Sequence, residues 1–164
     1  MRGSYLLFLR NERRCSVRVG RLGNIVFDSG VYVYVGSGLN NVVSRVGRHF
    51  KSVKRVFWHI DYIASRVMRI IGAILLISDK RLEGMLSSIL KDYYSYVPGF
   101  GASDTKDVSH LFYIHTESKY DLLVSVISNV LTYVTDVYWY DGIKLHKVRD
   151  LAEILNFLKE MKST

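Results

Sequence analysis

Gly30-Val-Tyr-Val-Tyr-Val-Gly36, followed without a break by Ser37-Gly-Leu-Asn-Asn-Val-Val-Ser-Arg45-Val-Gly-Arg-His49, contains the change of period on which the fold turns. From Val31 to Val35 every residue is β-branched or aromatic, the composition of a strand. From Leu39 the apolar positions are Leu39, Val42, Val43, Val46 and Phe50, spaced by three and four as on one face of an amphipathic helix. A strand feeding a helix through a turn at Gly36-Ser-Gly38 brings two pairs together. Tyr32 and Tyr34, two apart, share a strand face, and Arg45 and His49, four apart, share a helix face.

Working outward, Ser4 to Leu9 reads as a strand, and Ser16 to Gly20 with Ile25 to Phe27 reads as a hairpin turning at Arg21-Leu-Gly-Asn24. Trp58 to Arg66 predicts a short helix or helical turn. Val67 to Ile77 predicts a strand buried on both faces, its β-branched content weighing against a core helix. Asp79 is the expected N-cap of a helix from Arg81 to Tyr94, Pro98 to Asp104 is a loop, and Ser109 to Ile114 is another strand. The remainder reads as a helix from about 119 to 131, a strand from Tyr133 to Tyr140, an Asp141-Gly142 turn and a helix from about 148 to 161. The expected fold class is therefore α+β: a small antiparallel sheet flanked by helices in residues 1–115, with an αβα addition, 116–164, packed on that sheet. The aromatics of the addition, Tyr133, Tyr138, Trp139 and Tyr140, are expected in the core rather than at a protein interface.

With 49% of its 164 residues hydrophobic, the chain has enough apolar side chains for a buried core. The longest apolar run, Ile70 to Ile77, is eight residues, against about 20 needed to cross a bilayer. Arginines 10, 13 and 14 interrupt the apolar stretch near the start, so no signal peptide is expected and a cytoplasmic location is. Cys15 is alone, which excludes an internal disulfide and a cysteine-based metal site. Charge is unevenly distributed. Residues 1 to 60 carry eleven Arg/Lys against Glu12 and Asp28, a net of +9, although the whole chain is only +8. Such a field attracts polyanions. The candidates for contact with a phosphate backbone are Arg18, Arg21, Ser37, Arg48, Lys51, Lys54, Arg55 and His59.

Two phenols, a guanidinium and an imidazole beside a polyanion site suit phosphodiester hydrolysis, which needs an activated oxygen nucleophile, a cation on the phosphoryl oxygens and help for the leaving oxygen. A phenol titrates near pH 10, so it acts as a base at neutral pH only beside positive charge. Glu83 is the sole glutamate between Glu12 and Glu117 and is the candidate metal ligand. One carboxylate with waters and substrate oxygens suits Mg²⁺. No paired carboxylate flanks it, and His59, His110 and His115 lack zinc-like spacing.

Gly3-Ser-Tyr5 and Tyr34-Val-Gly36, followed by Arg45, His49 and Glu83 in that order, resemble the motifs of GIY-YIG nucleases over roughly residues 3 to 114. Serine stands for isoleucine in the first motif, and the spacing from Tyr5 to Tyr34 is longer than the family's, which makes the basic hairpin an insertion. Gly30-Val-Tyr32 also mimics the first motif but shares a strand with Tyr34, which favours Tyr5 as the first-motif tyrosine, with Tyr32 as the alternative. Trp58-His-Ile-Asp-Tyr62, Gly99-Phe-Gly-Ala-Ser-Asp104 and Ser109-His-Leu-Phe-Tyr113 resemble the largely archaeal Uri-type branch, where Thr105 and Asp107 stand in place of cysteines. The resemblance implies a magnesium- or manganese-dependent endonuclease with one ion. Its catalytic residues would be Tyr5, Tyr34, Arg45, His49 and Glu83. The implied substrate is DNA, with RNA as a further possibility, and the implied setting is repair or processing beside a repair enzyme. The alternative is a nucleic-acid-binding module of weak or no turnover.

Overall fold

The computed structural model describes residues 1–114 and 118–162; His115 and the expected boundary at 115/116 lie outside them. Along the chain the elements are β1 (Gly3–Asn11), β2 (Cys15–Arg18), β3 (Asn24–Phe27), β4 (Gly30–Gly38), α1 (Val42–His49), β5 (Arg69–Ile77), α2 (Glu83–Leu90), β6 (Ser95–Tyr96), β7 (Leu111–Ile114), α3 (Ser118–Ser128), β8 (Asp136–Tyr140), β9 (Leu145–Val148) and α4 (Leu151–Lys162). Seven strands form one sheet in the order β6-β7-β4-β1-β5-β8-β9, with every neighbouring pair antiparallel, and β2 and β3 form a separate hairpin. This is the α+β class expected from the alternation of periods.

Side-chain alternation on the central strands sorts the molecule into two cores. Leu6 and Phe8 of β1, Val31, Val33 and Val35 of β4, and Ile74 and Leu76 of β5 pack with α2, α3 and α4. Tyr5, Leu7 and Leu9, Tyr32 and Tyr34, and Ala73 and Leu75 face the opposite way. There they meet α1, the β2–β3 hairpin, the segment from Ile60 to Met68 and Phe100. The carboxy-terminal segment extends the sheet itself: β8 pairs with β5 from Ala73↔Tyr140 to Ile77↔Asp136. Trp139 stacks on Phe157 of α4 with ring centroids 5.1 Å apart.

Several boundaries differ from the sequence expectation, each for a local physical reason. β4 continues through Gly36-Ser-Gly38, which was expected to turn, because these residues pair with Gly3 to Tyr5 of β1. The turn comes after it, and Asn41 caps α1 by accepting from Val43 N (3.1 Å) and Ser44 N (3.2 Å). α2 is shorter than predicted, and Asp79 does not cap it; its N-cap residue is Leu82, whose N–H donates to Ser4 Oγ at 3.0 Å. After α2 the chain turns and adds the short β6 to β7. The single turn expected at Asp141 is a hairpin: Asp141 Oδ1 accepts from Ile143 N (2.8 Å) and Lys144 N (2.7 Å), and β9 pairs back on β8. α4 therefore starts later, at Leu151, with Asp150 Oδ1 accepting from Glu153 N at 3.0 Å.

Candidate active site

Where β1 and β4 end beside α1, the cover over the sheet is incomplete and leaves a polar cavity of about 90 Å³. Its walls include Tyr5, Tyr34, Arg45, His49 and Glu83, from two strands and two helices separated by as many as 78 positions in sequence. Tyr5 lies opposite Gly36 in the β1–β4 register. A Cβ on Gly36 would stand 2.4 Å from the Tyr5 ring and hydroxyl, so only glycine lets that ring lie flat across β4. Tyr34, two residues earlier on the same strand face, is 6.3 Å from Tyr5 between ring centroids. Across the cavity Gly101 has φ +71° and its N–H donates to His59 Nδ1 at 2.8 Å, which sets the loop against Tyr34. Tyr32 shares the strand face but lies away from this cavity; its hydroxyl donates to Asp28 O at 3.0 Å.

The Tyr5 hydroxyl and His49 Nε2 are 2.8 Å apart and both groups are buried. Burial pushes the Tyr5 phenol well above its ordinary range; neighbouring Tyr34 adds to this and Arg45 works against it. Burial also raises Tyr34, Glu83 raises it further, and Arg45 again opposes. His49 is pushed down to about 3, first by burial, with Asp61 opposing and Lys54 and Arg48 reinforcing. At neutral pH the pair is therefore a neutral phenol and a neutral imidazole, which share one hydrogen bond. His49 Nδ1 is buried with no partner among the described residues. The arginine expected to favour a phenolate is present but is outweighed by burial.

Arg45, one turn before His49 on α1, rests its guanidinium 4.4 Å from the Trp58 ring centroid. Glu83 opens α2, is buried, and accepts from Arg81 Nε. Ser4 positions it: the same hydroxyl that receives Leu82 N also meets Ser37 Oγ at 3.0 Å, tying the start of α2 to the sheet. Among the described residues no group of three or more His, Cys, Asp or Glu converges to hold an ion. A buried carboxylate on a polar cavity fits one hydrated Mg²⁺, which keeps most of its waters. It does not fit an ion enclosed by protein ligands.

The expected backbone-contact residues divide in two. Arg48 forms a bidentate pair with the buried Asp61 at 2.7 and 3.0 Å, Lys54 Nζ donates to the carbonyls of His49, Lys51 and Ala64, and His59 is taken by Gly101. These three hold the protein together. Arg18, Arg21, Lys51 and Arg55 are exposed, while Ser37 sits in the cavity wall with its hydroxyl on Ser4.

Sequence reasoning passed over further wall residues: Trp58, Arg81, Asp104, Thr105 and His110. It also passed over Asp61, whose carboxyl is pushed up by burial but held below its ordinary range by Arg48 and by the N–H groups of Trp58 and Phe57. His110 is buried with Nε2 2.7 Å from Asp107 Oδ2. For Trp58, Asp61, Asp104 and His110 the sequence signal was the resemblance of the segments that carry them, whereas Arg81 and Thr105 lie outside those segments. Neither the curated proteins nor the solved structures contain a match to this chain. The family described as domain of unknown function DUF123 matches residues 4–132, a span that includes every wall residue of the cavity, and the chain belongs to that family.

Proposed function

We propose that this protein is a metal-dependent endonuclease of the GIY-YIG type, Uri branch, which hydrolyses phosphodiester bonds in DNA during repair or processing. The observation that carries the reading is the meeting of Tyr5, Tyr34, Arg45, His49 and Glu83 around one polar cavity. Arg45 binds and neutralises the phosphoryl oxygens as charge builds on them. Because Tyr5 is protonated at rest and faces a neutral imidazole, it takes the proton of an attacking water by passing its own to His49 Nε2. Burial that holds His49 down to about 3 makes the resulting imidazolium short-lived, so the proton returns through Tyr5 to the leaving oxygen or to solvent. Tyr34 walls the cavity and orients the phosphate through its hydroxyl. Glu83 would hold Mg²⁺ or Mn²⁺, which supplies Lewis-acid stabilisation of the phosphoryl oxygens when bound.

The test is incubation of the protein with labelled DNA and RNA structures, with and without Mg²⁺ or Mn²⁺. Glu83→Gln is expected to abolish cleavage and retain binding. Arg45→Ala should cost about 10²–10³-fold in rate, and Tyr5→Phe at least about 10²-fold. Cutting no greater than that of Glu83→Gln across the panel would refute the enzyme. One observation favours a second reading, a nucleic-acid-binding module of weak turnover acting beside a repair enzyme: Arg81 already occupies a Glu83 oxygen and competes with a cation. Binding without cutting would select it.

A further inference from the structure

The segment 51–58, between α1 and the 3-10 turn His59–Tyr62, is partly inverted with respect to solvent. Lys51, Ser52 and Arg55 stay exposed, but Lys54 turns inward, its Nζ donating to three carbonyls, and the fully buried Asp61 of the following turn accepts from Arg48, Phe57 N (2.8 Å) and Trp58 N (2.9 Å). Arg48 also reaches the Arg55 carbonyl at 2.6 Å. Three of its four apolar side chains turn outward: Val53 is 91% exposed, Phe57 63% and Trp58 39%, while Val56 is half-buried. Hydration alone favours the reverse, since exposed apolar area and buried charge both carry a cost. The internal network fixes the backbone before any ligand arrives, which lowers the ordering cost of using the outward face.

What the face offers is aromatic surface mixed with cations. The Arg55 guanidinium lies 5.2 Å from the Phe57 ring centroid, and Trp58 is also a wall of the cavity that Arg45 and Glu83 share. An occupant has to present flat π faces and negative charge together. A continuous duplex displays its phosphates but keeps its base faces inside the stack, whereas a single strand displays both. We propose that Phe57 and Trp58 form a stacking ledge for unpaired nucleotides beside the cavity, so that the substrate class is single-stranded nucleic acid or a junction with unpaired bases. The proposal rests on the nuclease reading and names its substrate.

The test uses the full-length protein in chelator, so that nothing is cut, and measures anisotropy of labelled oligothymidylate, oligouridylate and a blunt duplex of equal length at low and high salt. The single strands should keep more of their affinity than the duplex as salt rises, with the DNA and RNA arms showing which sugar is preferred. Phe57→Ala should weaken single-strand binding at least about fivefold and duplex binding less than about twofold, with Phe57→Tyr restoring it. Single strands should quench the tryptophan emission of the wild type but not of Trp58→Phe. Equal loss on both ligands, no loss on single strands, or no quench dependent on Trp58 would overturn the ledge. A chain that shows the Phe57-dependent preference yet cuts nothing in the metal assay keeps the ledge and refutes the enzyme; one that cuts duplex with no Phe57 effect does the opposite.

Discussion

The two faces of the sheet are built from the same strands and do different work. On β1, Leu6 and Phe8 enter a core closed by three helices, α2, α3 and α4. One residue before Leu6, Tyr5 enters a core closed by short pieces: α1, a hairpin, a 3-10 turn and the Phe100 loop. Helices lay apolar stripes on the sheet, and the cleft they leave is lined mostly by apolar side chains such as Leu131, Val137 and Ile154. Short pieces leave a gap at the strand ends, and the phenols and imidazole that border it are buried without apolar neighbours on every side. The difference teaches that one face is packed by helices whereas the other carries the polar cavity, and that protonation states around that cavity follow from burial.

The largest expected effect falls on the helical face. Removing residues 119–164 strips β8 from β5 and uncovers the partners of Leu123, Val126, Ile127, Ile154 and Leu158, so the truncated chain should be insoluble or unfolded in circular dichroism. A soluble truncation with the melting temperature of the intact chain would break the comparison. On the other face, Asp61→Asn should cost about 3–5 kcal/mol in urea unfolding, because Arg48 is left without its buried anion. Since the folded Asp61 carboxyl lies below its ordinary 3.8, its contribution is present above that pH and is lost as pH falls through the folded value. The variant should lack that acid limb.

His49 sharpens the contrast at a higher pH. The unfolded imidazole takes up a proton below 6.5 and the folded one only near 3, so stability is full above 6.5 and declines as pH falls towards 3. His49→Gln should flatten the decline between pH 6.5 and about 4 while leaving the Asp61 limb below it. An unchanged profile would show that His49 is not buried neutral. The smallest effect belongs to Tyr32→Phe, which removes one hydroxyl bond to Asp28 O away from the cavity. It should cost about 0.5–1.5 kcal/mol in stability and nothing in any activity that Tyr5→Phe abolishes.

How much was legible depends on the range of the cause. β1, β4, β5, β7, α1 and α3 announce themselves through spacing within a few residues. β9 did not: in Leu145-His-Lys-Val148 only the ends are apolar, and its pairing partner sits across a turn. The early start expected for α2 came from local composition, whereas its first N–H is satisfied by Ser4, which is remote in sequence. Gly36 reads locally as a turn residue, yet it is strand because the Tyr5 ring needs the space. Tyr5, Tyr34, Arg45, His49 and Glu83 were identified by motif, while Arg81, Asp61 and the His110–Asp107 pair carry no local pattern.

By itself the sequence determined which residues share a face, because side-chain period is a property of the backbone. It also determined that the positive charge belongs to the first 60 residues. Only the tertiary structure decided which cations stay available. Arg48 and Lys54 turn inward to a buried carboxylate and backbone carbonyls, leaving Phe57 and Trp58 outside. It likewise decided that Tyr5 and His49 meet as neutral partners. The reason is that ionisation and hydrogen bonding answer to burial and to neighbours distant along the chain, which local spacing does not encode.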